Sequence, residues 1–357
     1  MSGQHNPGPA KILLVEDDPD TGRYIVDVLT RRAGLEVRHA NSPAEALSLT
    51  GRGHRFDLVI SDIEMPGMSG IELLGRIRET APGVPVMIIT AHATVGNAVG
   101  AVRGKADEFL QKPLRPDDLI GAVSGLLERS RASRERVLAV GAHPDDVEIG
   151  TAGTLLAHRA AGHEVSILTM CRGARGGVEG ARAGESEQAA RLLGAALYLE
   201  DLEDTRISEG DPTISAISAV IETVTPTIVY THSPHDVHQD HRNTHRAVMV
   251  AARTIGSVYC FQSPSATVDF RPARFVDVDA YLPGKLAAIG AFASQTAIRG
   301  YLEPDLIEAT ARYWSRFGEG RYAEAFEVIR DRAAGAAAMG VPASTGHQAE
   351  RGSHAAV

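Results

Sequence analysis

The chain has 357 residues, a net charge of −9, a pI near 5.9 and 43% hydrophobic residues. At roughly 150 residues per domain this length predicts two globular domains, and the acidic balance argues against nucleic acid or an anionic membrane as the main partner. Residues 1–10 lack the basic and apolar regions of a signal peptide, and no apolar run reaches the ~18 residues that a membrane span needs. Cys171 and Cys260 lie in strand-like runs, where a cysteine is most often a reduced core residue. We therefore expect a cytoplasmic protein.

Residues 11–130 alternate short apolar strands with helical stretches, which is the pattern of a parallel α/β sandwich. The predicted strands are Ile12–Val15, Leu35–Arg38, Leu58–Ser61, Val86–Thr90 and Glu108–Leu110. Asp18 and Ser42 each precede a proline and predict capped helix starts, and apolar residues at helical spacing from Leu119 to Leu127 predict a last helix. We expect five strands and about five helices.

Polar side chains follow four of these predicted strands. Glu16 and Asp17 follow the first strand, Asp62 the third, Thr90 the fourth and Lys112 the fifth. The carboxyl ends of parallel strands meet at one edge of a sheet, so these side chains are predicted to converge. Three carboxylates repel one another unless a cation joins them, and oxygen ligands suit Mg²⁺. A lysine and a hydroxyl beside them would complete a site for a phosphoryl group.

Several motifs in this order make residues 11–130 resemble a response-regulator receiver domain of the CheY-like kind. They are Glu16-Asp17-Asp18, Asp62-Ile63-Glu64-Met65-Pro66-Gly67-Met68-Ser69-Gly70, Thr90-Ala91 and Phe109-Leu110-Gln111-Lys112-Pro113. The resemblance implies a flavodoxin-like fold and a phosphoryl group on Asp62 that comes from a sensor histidine kinase. It also implies a receiver face, formed by the fourth and fifth helices, through which two copies of the chain form a homodimer.

The receiver resemblance also implies roles for the residues around the phosphoacceptor. Asp17, Asp62 and the main-chain carbonyl of Glu64 would bind Mg²⁺, and Glu16 would contribute through water. Thr90 and Lys112 would bind the phosphoryl oxygens. Phe109 would be the aromatic that reorients with the switch.

A second α/β alternation occupies residues 136–332, after a short charged linker at 131–135. Its predicted strands are Val137–Val140, Glu164–Met170, Ala196–Leu199 and Thr227–Tyr230, and its predicted helices lie near Gly150–Ala161, Gly184–Leu193, Ile214–Val224 and Asp240–Arg253. The whole chain is thus predicted to form two doubly wound, Rossmann-like three-layer α/β domains. Residues 1–10 and the Ala, Gly and Ser-rich segment 333–357 are predicted to be disordered.

A metal site is predicted where polar residues follow the first strand of this second domain. His143 and Asp146 supply an imidazole and a carboxylate, but catalytic zinc generally takes three protein ligands and a water. A third ligand is expected from the end of a neighbouring strand, and His241 fits. Asp145 is then free to act as the general base.

The segment that follows the Thr227–Tyr230 strand is rich in other polar residues. We predict that His238 stabilises the oxyanion and protonates the leaving amine, and that Asp240 fixes the ring of a catalytic histidine. A solvated loop is the expectation for His235 and His245.

These residues resemble the PIG-L/LmbE family of zinc-dependent N-deacetylases, over about residues 136 to 330. The matching text is Ala142-His143-Pro144-Asp145-Asp146, Glu148, Gly150, Arg182, Glu185, Ala189, Leu193-Gly194, His238-Gln239-Asp240-His241 and Arg321-Tyr322-Ala323-Glu324-Ala325-Phe326. The resemblance implies an enzyme that hydrolyses a linear amide C–N bond. It also implies that His143, Asp146 and His241 bind zinc and that Asp145 is the general base. The implied substrate is an N-acetylglucosamine-type sugar conjugate.

Two positions depart from the pattern of these deacetylases. The loop after the second strand carries Arg172 and Arg175 where many relatives have a glutamate, which predicts either a contact with an anionic substrate group or two solvated arginines. Phe292 stands where a histidine is usual.

The leading hypothesis is therefore a deacetylase that a phosphorylated receiver gates, with the short linker transmitting the change. The alternative is a signalling or scaffold protein whose deacetylase-like domain binds a sugar without turnover. A DNA-binding regulator is disfavoured because the second half shows no helix-turn-helix pattern and no basic excess.

Overall fold

The computed structural model describes residues 9–51, 56–81, 83–91, 106–173 and 181–332. The chain divides between Arg134 and Glu135 into two compact units, each built on its own sheet. In the described part of the chain no helix is long and apolar enough to cross a bilayer.

The first unit is a five-stranded parallel sheet in the order β2-β1-β3-β4-β5, flanked by helices. Its central strands are buried along their whole length, as in a sheet covered on both faces. The elements are β1 (Lys11–Val15), α1 (Pro19–Arg31), β2 (Glu36–Ala40), α2 (Pro43–Gly51), β3 (Leu58–Asp62), α3 (Gly70–Thr80), β4 (Val86–Thr90), β5 (Glu108–Gln111) and α4 (Pro116–Ser133).

The predicted fold class of this unit is confirmed. The Asp18 side chain caps α1 by accepting the N–H of Thr21 at 2.7 Å, which is the capped start that the sequence predicts. The helix predicted between β4 and β5 falls on residues 92–105, outside the described residues. The strand order reverses beside β1, and the crevice at the carboxyl ends of β1 and β3 is where such sheets bind ligands.

The second unit is a seven-stranded sheet in the order β11-β12-β10-β9-β6-β7-β8, in which β12 runs antiparallel to both of its neighbours. The two layers of core lie on opposite faces of this sheet. The elements are β6 (Arg136–Gly141), α5 (Asp146–Ala160), β7 (Glu164–Thr169), α6 (Ala181–Leu193), β8 (Ala196–Leu199), α7 (Thr213–Val224), β9 (Ile228–His232), α8 (Gln239–Ala251), β10 (Ser257–Phe261), β11 (Arg274–Asp277), α9 (Leu282–Gly290), α10 (Ala293–Thr296), α11 (Pro304–Trp314) and β12 (Ala323–Arg330).

This unit confirms the predicted α/β class and adds to it. The strands β11 and β12 were not predicted, and β10 was anticipated only as the strand-like run around Cys260; the three strands extend the sheet on the β9 side. Helix α5 begins at Asp146, four residues before the predicted Gly150, and β9 continues to His232, two residues beyond the predicted Tyr230. Both differences bring a chain segment into the crevice at the β6 and β9 ends, where the order of the strands reverses.

Candidate functional site

The carboxyl ends of β1 and β3 bring together the predicted acidic residues of the first unit. Glu16, Asp17 and Asp62 each have a carboxylate oxygen within 4.8 Å of the others. The ammonium of Lys112, which follows β5, lies 2.8 Å from Glu16 Oε2 and 2.5 Å from Asp62 Oδ2. The structure therefore places three carboxylates and a lysine at one edge of the sheet.

The charges in this acidic pocket favour a bound cation. Burial raises the pKa of Glu16, and the hydrogen bond with Lys112 opposes that effect. Burial lowers the pKa of Lys112, but its hydrogen bonds to Asp62 and Glu16 outweigh burial and the net pKa is raised. The Lys112 ammonium thus pairs with two of the three carboxylates, and Mg²⁺ is a hard cation whose preferred ligands are such oxygens.

The other predicted residues of the first unit lie around this pocket. Thr90 is buried at the end of β4, and its carbonyl accepts the N–H of Lys112 at 2.8 Å. The N–H of Glu64 donates to Asp62 Oδ1 at 3.3 Å, and Phe109 in β5 is half-buried and packs against the core. Magnesium binding by the Glu64 carbonyl, phosphoryl binding by Thr90 and reorientation of Phe109 stay predictions.

In the second unit the predicted zinc ligands come from the ends of two adjacent strands. β6 pairs with β9, so the segments that follow these two strands lie side by side. His143 lies between β6 and α5, Asp146 is the first residue of α5, and His241 lies in the first turn of α8. All three side chains are buried.

The donor atoms of these three residues face one point. His143 Nδ1 lies 3.4 Å from Asp146 Oδ2 and 3.3 Å from His241 Nε2, and His241 Nε2 lies 3.4 Å from Asp146 Oδ1. Ligands about 2.0 Å from a tetrahedral zinc ion are themselves about 3.3 Å apart. The two nitrogens, and the carboxylate oxygen that lies nearest to each of them, are therefore spaced as zinc ligands are.

Carboxylates on the far side of each imidazole fix its orientation. His143 Nε2 donates to Asp240 Oδ2 at 3.2 Å, which leaves Nδ1 as the electron-pair donor. His241 Nδ1 donates to Asp236 Oδ2 at 2.9 Å, which leaves Nε2 as the donor. A carboxylate behind a metal-binding histidine is the usual support of a zinc ligand. Asp240 thus supports a predicted zinc ligand, and only its main-chain N–H bonds to His238.

The same carboxylates make the point between the ligands favourable for positive charge. Burial disfavours a charged imidazole at His241, yet Asp146 and Asp236 raise its pKa to about 9. At His143 burial is likewise outweighed, by hydrogen bonds to carboxylates of which Asp146 is the strongest, and its pKa is well above the usual value. This preference for a cation is what a metal site requires.

Two neighbouring histidines, His232 and His238, also have a ring nitrogen within 4.8 Å of the ligand atoms, and each already accepts a main-chain hydrogen bond. His232 Nε2 accepts the N–H of Ala142 at 3.0 Å, so its electron pair is occupied, and burial lowers its pKa to about 4. His238 Nδ1 accepts the N–H of Asp240 at 3.3 Å. The proton of a neutral His238 is therefore on Nε2, and the side chain lines the cavity beside the metal ligands as a hydrogen-bond donor.

Asp145, the predicted general base, is buried between the ligands and Arg182. Its φ angle of 91° lies in the left-handed region. An Arg182 Nη2 atom lies 3.2 Å from Asp145 Oδ2, and the same guanidinium donates to the Pro144 carbonyl. Burial raises the pKa of Asp145 to about 7, repulsion from Asp146 adds to this, and Arg182 opposes it.

Three residues of the site were not assigned a role from the sequence. Asp236 supports His241 and also accepts hydrogen bonds from the hydroxyls of Ser263 and Ser265 at 2.5 and 2.7 Å. His232 stacks on His241 with ring centroids 4.0 Å apart, and Asp204 Oδ1 lies 3.5 Å from His143 Nε2. His232 and Asp236 lie in the same polar run as His241, which was a signal for them, whereas Asp204 approaches His143 only through the fold.

The predicted solvated loop at His235 and His245 is wrong for His245. This residue lies in α8, is buried, and its Nδ1 donates to the His232 carbonyl at 2.8 Å. The reason is that helix α8 starts earlier than the polar run ends and turns His245 towards the sheet. His235 is exposed, and its Nδ1 lies 2.9 Å from Glu327 Oε1.

A cavity of about 370 Å³ opens over the metal ligands and the base. The ligands line its floor, and the wall includes Ile149 and Pro264. Its polar lining away from the ligands is formed by Arg182, Thr205, Ser265, Gln295, Arg299 and Tyr301. The cavity is thus a chamber rich in polar groups with the three ligand atoms at its base.

The predicted substrate contacts lie elsewhere or outside the described residues. Arg172 is exposed, pairs with Asp201 at 3.2 Å and does not line this cavity. Arg175 lies outside the described residues. Phe292 is fully buried in the core, so it is not part of the rim of the cavity. Cys171 is also buried, and burial raises the pKa of its thiol to about 11.

Comparison with known families divides the chain in the same way. Residues 12–124 match the family of response regulator receiver domains, and residues 138–252 match the family described as GlcNAc-PI de-N-acetylase. The transcriptional regulatory protein GlrR of Escherichia coli is 41% identical over 122 residues, which is 34% of this chain and 27% of GlrR. The chain therefore spans about a quarter of the length of that curated relative.

Two solved structures are similar to the second unit. The conserved protein TT1542 from Thermus thermophilus is 25% identical with a TM-score of 0.49, and the match covers 54% of this chain and 93% of that one. The N,N'-diacetylchitobiose deacetylase from Pyrococcus horikoshii is 21% identical with a TM-score of 0.49, and the match covers 55% and 84% of the two chains.

Proposed function

We propose that this chain, which joins a response-regulator receiver domain to a domain of the GlcNAc-PI de-N-acetylase family, is a cytoplasmic zinc-dependent N-deacetylase under the control of a phosphorelay. The reaction is hydrolysis of the N-acetyl amide of an N-acetylglucosamine-type sugar conjugate. The observation that carries the proposal is the pair of imidazole nitrogens of His143 and His241, 3.3 Å apart and each 3.4 Å from one oxygen of the Asp146 carboxylate, with a second buried carboxylate, Asp145, beside them.

The residues around the donor atoms have complementary roles in amide hydrolysis. His143, Asp146 and His241 would hold zinc, which supplies a Lewis acid that polarises the amide carbonyl and makes water more acidic. Asp145 takes a proton from the attacking water as the water oxygen bonds to the acyl carbon. The C–N bond then breaks, and the nitrogen leaves as an amine after it has received a proton.

His238 and Arg182 complete this arrangement. The Nε2 proton of His238 is available to the carbonyl oxygen as negative charge develops on it, because Nδ1 is engaged by the N–H of Asp240. Transfer of a proton from His238 to the leaving nitrogen is the second part of its proposed role. Arg182 holds the Asp145 carboxylate in place by contacting both Oδ2 and the preceding Pro144 carbonyl.

The polar wall of the cavity supports a sugar as the amine-bearing half of the substrate. Thr205, Ser265, Gln295 and Arg299 present hydroxyl, amide and guanidinium groups to this space. These groups match the hydroxyls of a hexosamine, which both donate and accept hydrogen bonds.

The acidic pocket of the receiver supports the regulatory half of the proposal. A sensor histidine kinase would transfer a phosphoryl group to Asp62 with Mg²⁺ held by Glu16, Asp17, Asp62 and the Glu64 carbonyl. Lys112, already 2.5 Å from Asp62 Oδ2, would then bind the phosphoryl oxygens. Thr90 and Phe109 would reorient, and the receiver would change its association with a second copy or its effect on the deacetylase.

A metal analysis combined with an amine-release assay tests this function. Purified protein is expected to contain zinc and to release amine from a panel of N-acetylglucosaminides, and Asp145→Asn is expected to lose most of that activity while it keeps the metal. Acetyl phosphate should change the rate for the native chain but not for Asp62→Ala. Purified protein without zinc, or an Asp145→Asn variant with full activity, would overturn the proposal that the chain is a zinc-dependent deacetylase. Sugar binding without amine release would instead support the scaffold alternative.

A further inference from the structure

A second cavity, of about 240 Å³, adjoins the cavity over the metal ligands. The two share Ile149, Pro264 and Tyr301 in their walls, so they lie side by side. Helix α11 and the end of β10 enclose the second cavity. Its apolar lining includes Leu306, Ile307, Ala311, Trp314, Ala323 and Ala325. This space therefore differs in chemistry from the polar cavity beside it.

The charged residues that line the second cavity do not call for a charged ligand. Lys285 is 5% exposed, and its Nζ lies 2.6 Å from both Glu324 Oε1 and the Ile149 carbonyl. The Glu324 carboxylate also accepts the main-chain N–H groups of Gly153 and Thr154 at 3.0 and 2.7 Å. The ammonium and the carboxylate thus neutralise each other. The remaining lining is mostly apolar, with Gln262, Ser263 and Thr310 as neutral polar residues, and an apolar group matches the larger part of it.

The position of the second cavity relates it to one half of an amide substrate. Asp145 and Ile149 both line the cavity over the metal ligands, and the Ile149 N–H donates to the Asp145 carbonyl at 2.9 Å. The base must lie beside the acyl carbon, and Ile149, which also lines the apolar cavity, therefore lies next to the position of that carbon. The polar groups on the other wall, Gln295 and Arg299 among them, face the sugar half.

We propose that the second cavity binds an N-acyl chain longer than acetyl, so that the site is an N-deacylase for medium-length acyl amides of a sugar. This inference rests on the proposed function. Water oxygen bonds to the acyl carbon, the C–N bond breaks and the nitrogen takes a proton. The products are a free amino sugar and a carboxylic acid whose alkyl chain lies in the cavity.

Trp314, which lines the second cavity, is the single tryptophan of the chain, and its fluorescence reports occupancy of this cavity directly. Octanoate is expected to change that fluorescence and to bind about tenfold or more tightly than acetate, because each buried methylene is worth about fourfold in affinity. Thr310 is an exposed residue on the wall of the second cavity. The substitution Thr310→Phe should fill the cavity and weaken octanoate binding by about tenfold or more. Ala309→Phe, the next position on α11 and also exposed, is the matched control and should bind like the native chain. Octanoate that binds no more tightly than acetate, or that binds equally to Thr310→Phe, would overturn the inference.

Kinetics separate this inference from the proposed function. The kcat/KM for N-octanoylglucosamine should be higher than that for N-acetylglucosamine. Thr310→Phe should lower kcat/KM for N-octanoylglucosamine and leave kcat/KM for N-acetylglucosamine unchanged. Octyl N-acetylglucosaminide places the same chain on the sugar, and a preference for it that Thr310→Phe abolishes would assign the cavity to the sugar substituent and overturn the acyl assignment. Amine release from N-acetylglucosamine with no acyl preference would defeat the inference alone. No amine release from any substrate would defeat the function, and the octanoate titration would still decide whether the cavity binds the chain.

Discussion

Asp145 occupies a backbone conformation that a non-glycine residue adopts at a cost. Its φ is 91°, and strain of this kind amounts to about 1–3 kcal/mol where the surrounding structure maintains it. Aspartate is among the residues that tolerate positive φ best. The turn lets Asp145 and Asp146 point to different partners, Arg182 for the first and the histidines for the second. Adjacent carboxylates thus obtain separate roles.

The contact between Arg182 and Asp145 predicts a change in pH dependence. A base works only when it is ionised, so the rate falls as pH drops through the pKa of Asp145, which burial raises to about 7. Arg182 opposes this rise, and Arg182→Gln should therefore move the acid limb of the kcat/KM profile towards higher pH, by about one unit. Arg182→Lys keeps the charge and should leave the limb close to its native position. An unshifted limb in Arg182→Gln would contradict this role.

The carboxylate behind His241 predicts an effect on zinc affinity. Asp236→Asn keeps the shape of the side chain but removes the charge that orients and polarises His241. Loss of such a supporting carboxylate typically weakens metal binding about 10- to 100-fold. Competition with a zinc chelator measures this, with thermal unfolding of the apo protein as the check on folding. His235→Ala, at an exposed neighbour that pairs with Glu327, is the control and should bind zinc normally. Equal affinities in the two variants would show that Asp236 has no such role.

The start of helix α5 positions much of the site. Its first residue is the ligand Asp146, the residue before it is the base, and Ile149 one turn later lines both cavities. The helix approaches the sheet closely because Gly150 faces Phe261 in β10. A Cβ atom built on Gly150 would lie 2.3 Å from a Phe261 ring carbon. The absence of a side chain at this position therefore sets the depth of α5.

Two glycine-to-alanine substitutions, for which opposite effects on stability are expected, test this packing. Gly150→Ala is expected to destabilise the second unit by about 1–3 kcal/mol, because the new methyl group displaces a buried ring, and to lower zinc affinity with it. Gly184→Ala lies at an exposed position of α6 with nothing within 4 Å of its Cβ position, so it should be neutral or stabilise by up to about 1 kcal/mol. The midpoint of thermal unfolding measures both. A native midpoint for Gly150→Ala would show that α5 does not depend on this close approach.

For the whole molecule, the short connection between the units is the feature that bears on regulation. Helix α4 continues to Ser133, three residues beyond the predicted end of the receiver domain at 130, and β6 begins at Arg136. The predicted boundaries of the domains, and dimerisation through the receiver, stay predictions. A connection of two residues after a helix has little freedom to absorb a change in that helix.

Regulation through this connection predicts the effect of an insertion. Six Gly/Ser residues placed after Arg134 should abolish the change in amine-release rate that acetyl phosphate causes, while the basal rate stays the same. Phosphorylation of Asp62 should continue in the inserted variant and can be followed by mass. If acetyl phosphate still changes the rate to the native extent, the short connection does not carry the signal.

The sequence alone determined the fold class, both strand-end clusters and the residues that fill them. Apolar runs followed by Asp62, Lys112, His143 or His241 are local patterns, and a parallel sheet brings the carboxyl ends of its strands together whatever lies between. Capped helix starts at Asp18 and Ser42 were predictable for the same reason. These features depend on residues that are neighbours in the chain.

Only the tertiary structure decided which groups stand behind and beside these residues. Arg182 beside Asp145 is a contact between segments far apart in the sequence. Asp236 is only five residues from His241, but its position behind that ring, like the burial of His245, depends on how the loop and α8 pack on the sheet. The three strands β10–β12 and the apolar cavity next to Ile149 likewise arise from long-range pairing. Periodicity and spacing report the local environment of a residue, whereas burial, hydrogen-bond partners and cavity shape are set by the whole packed unit.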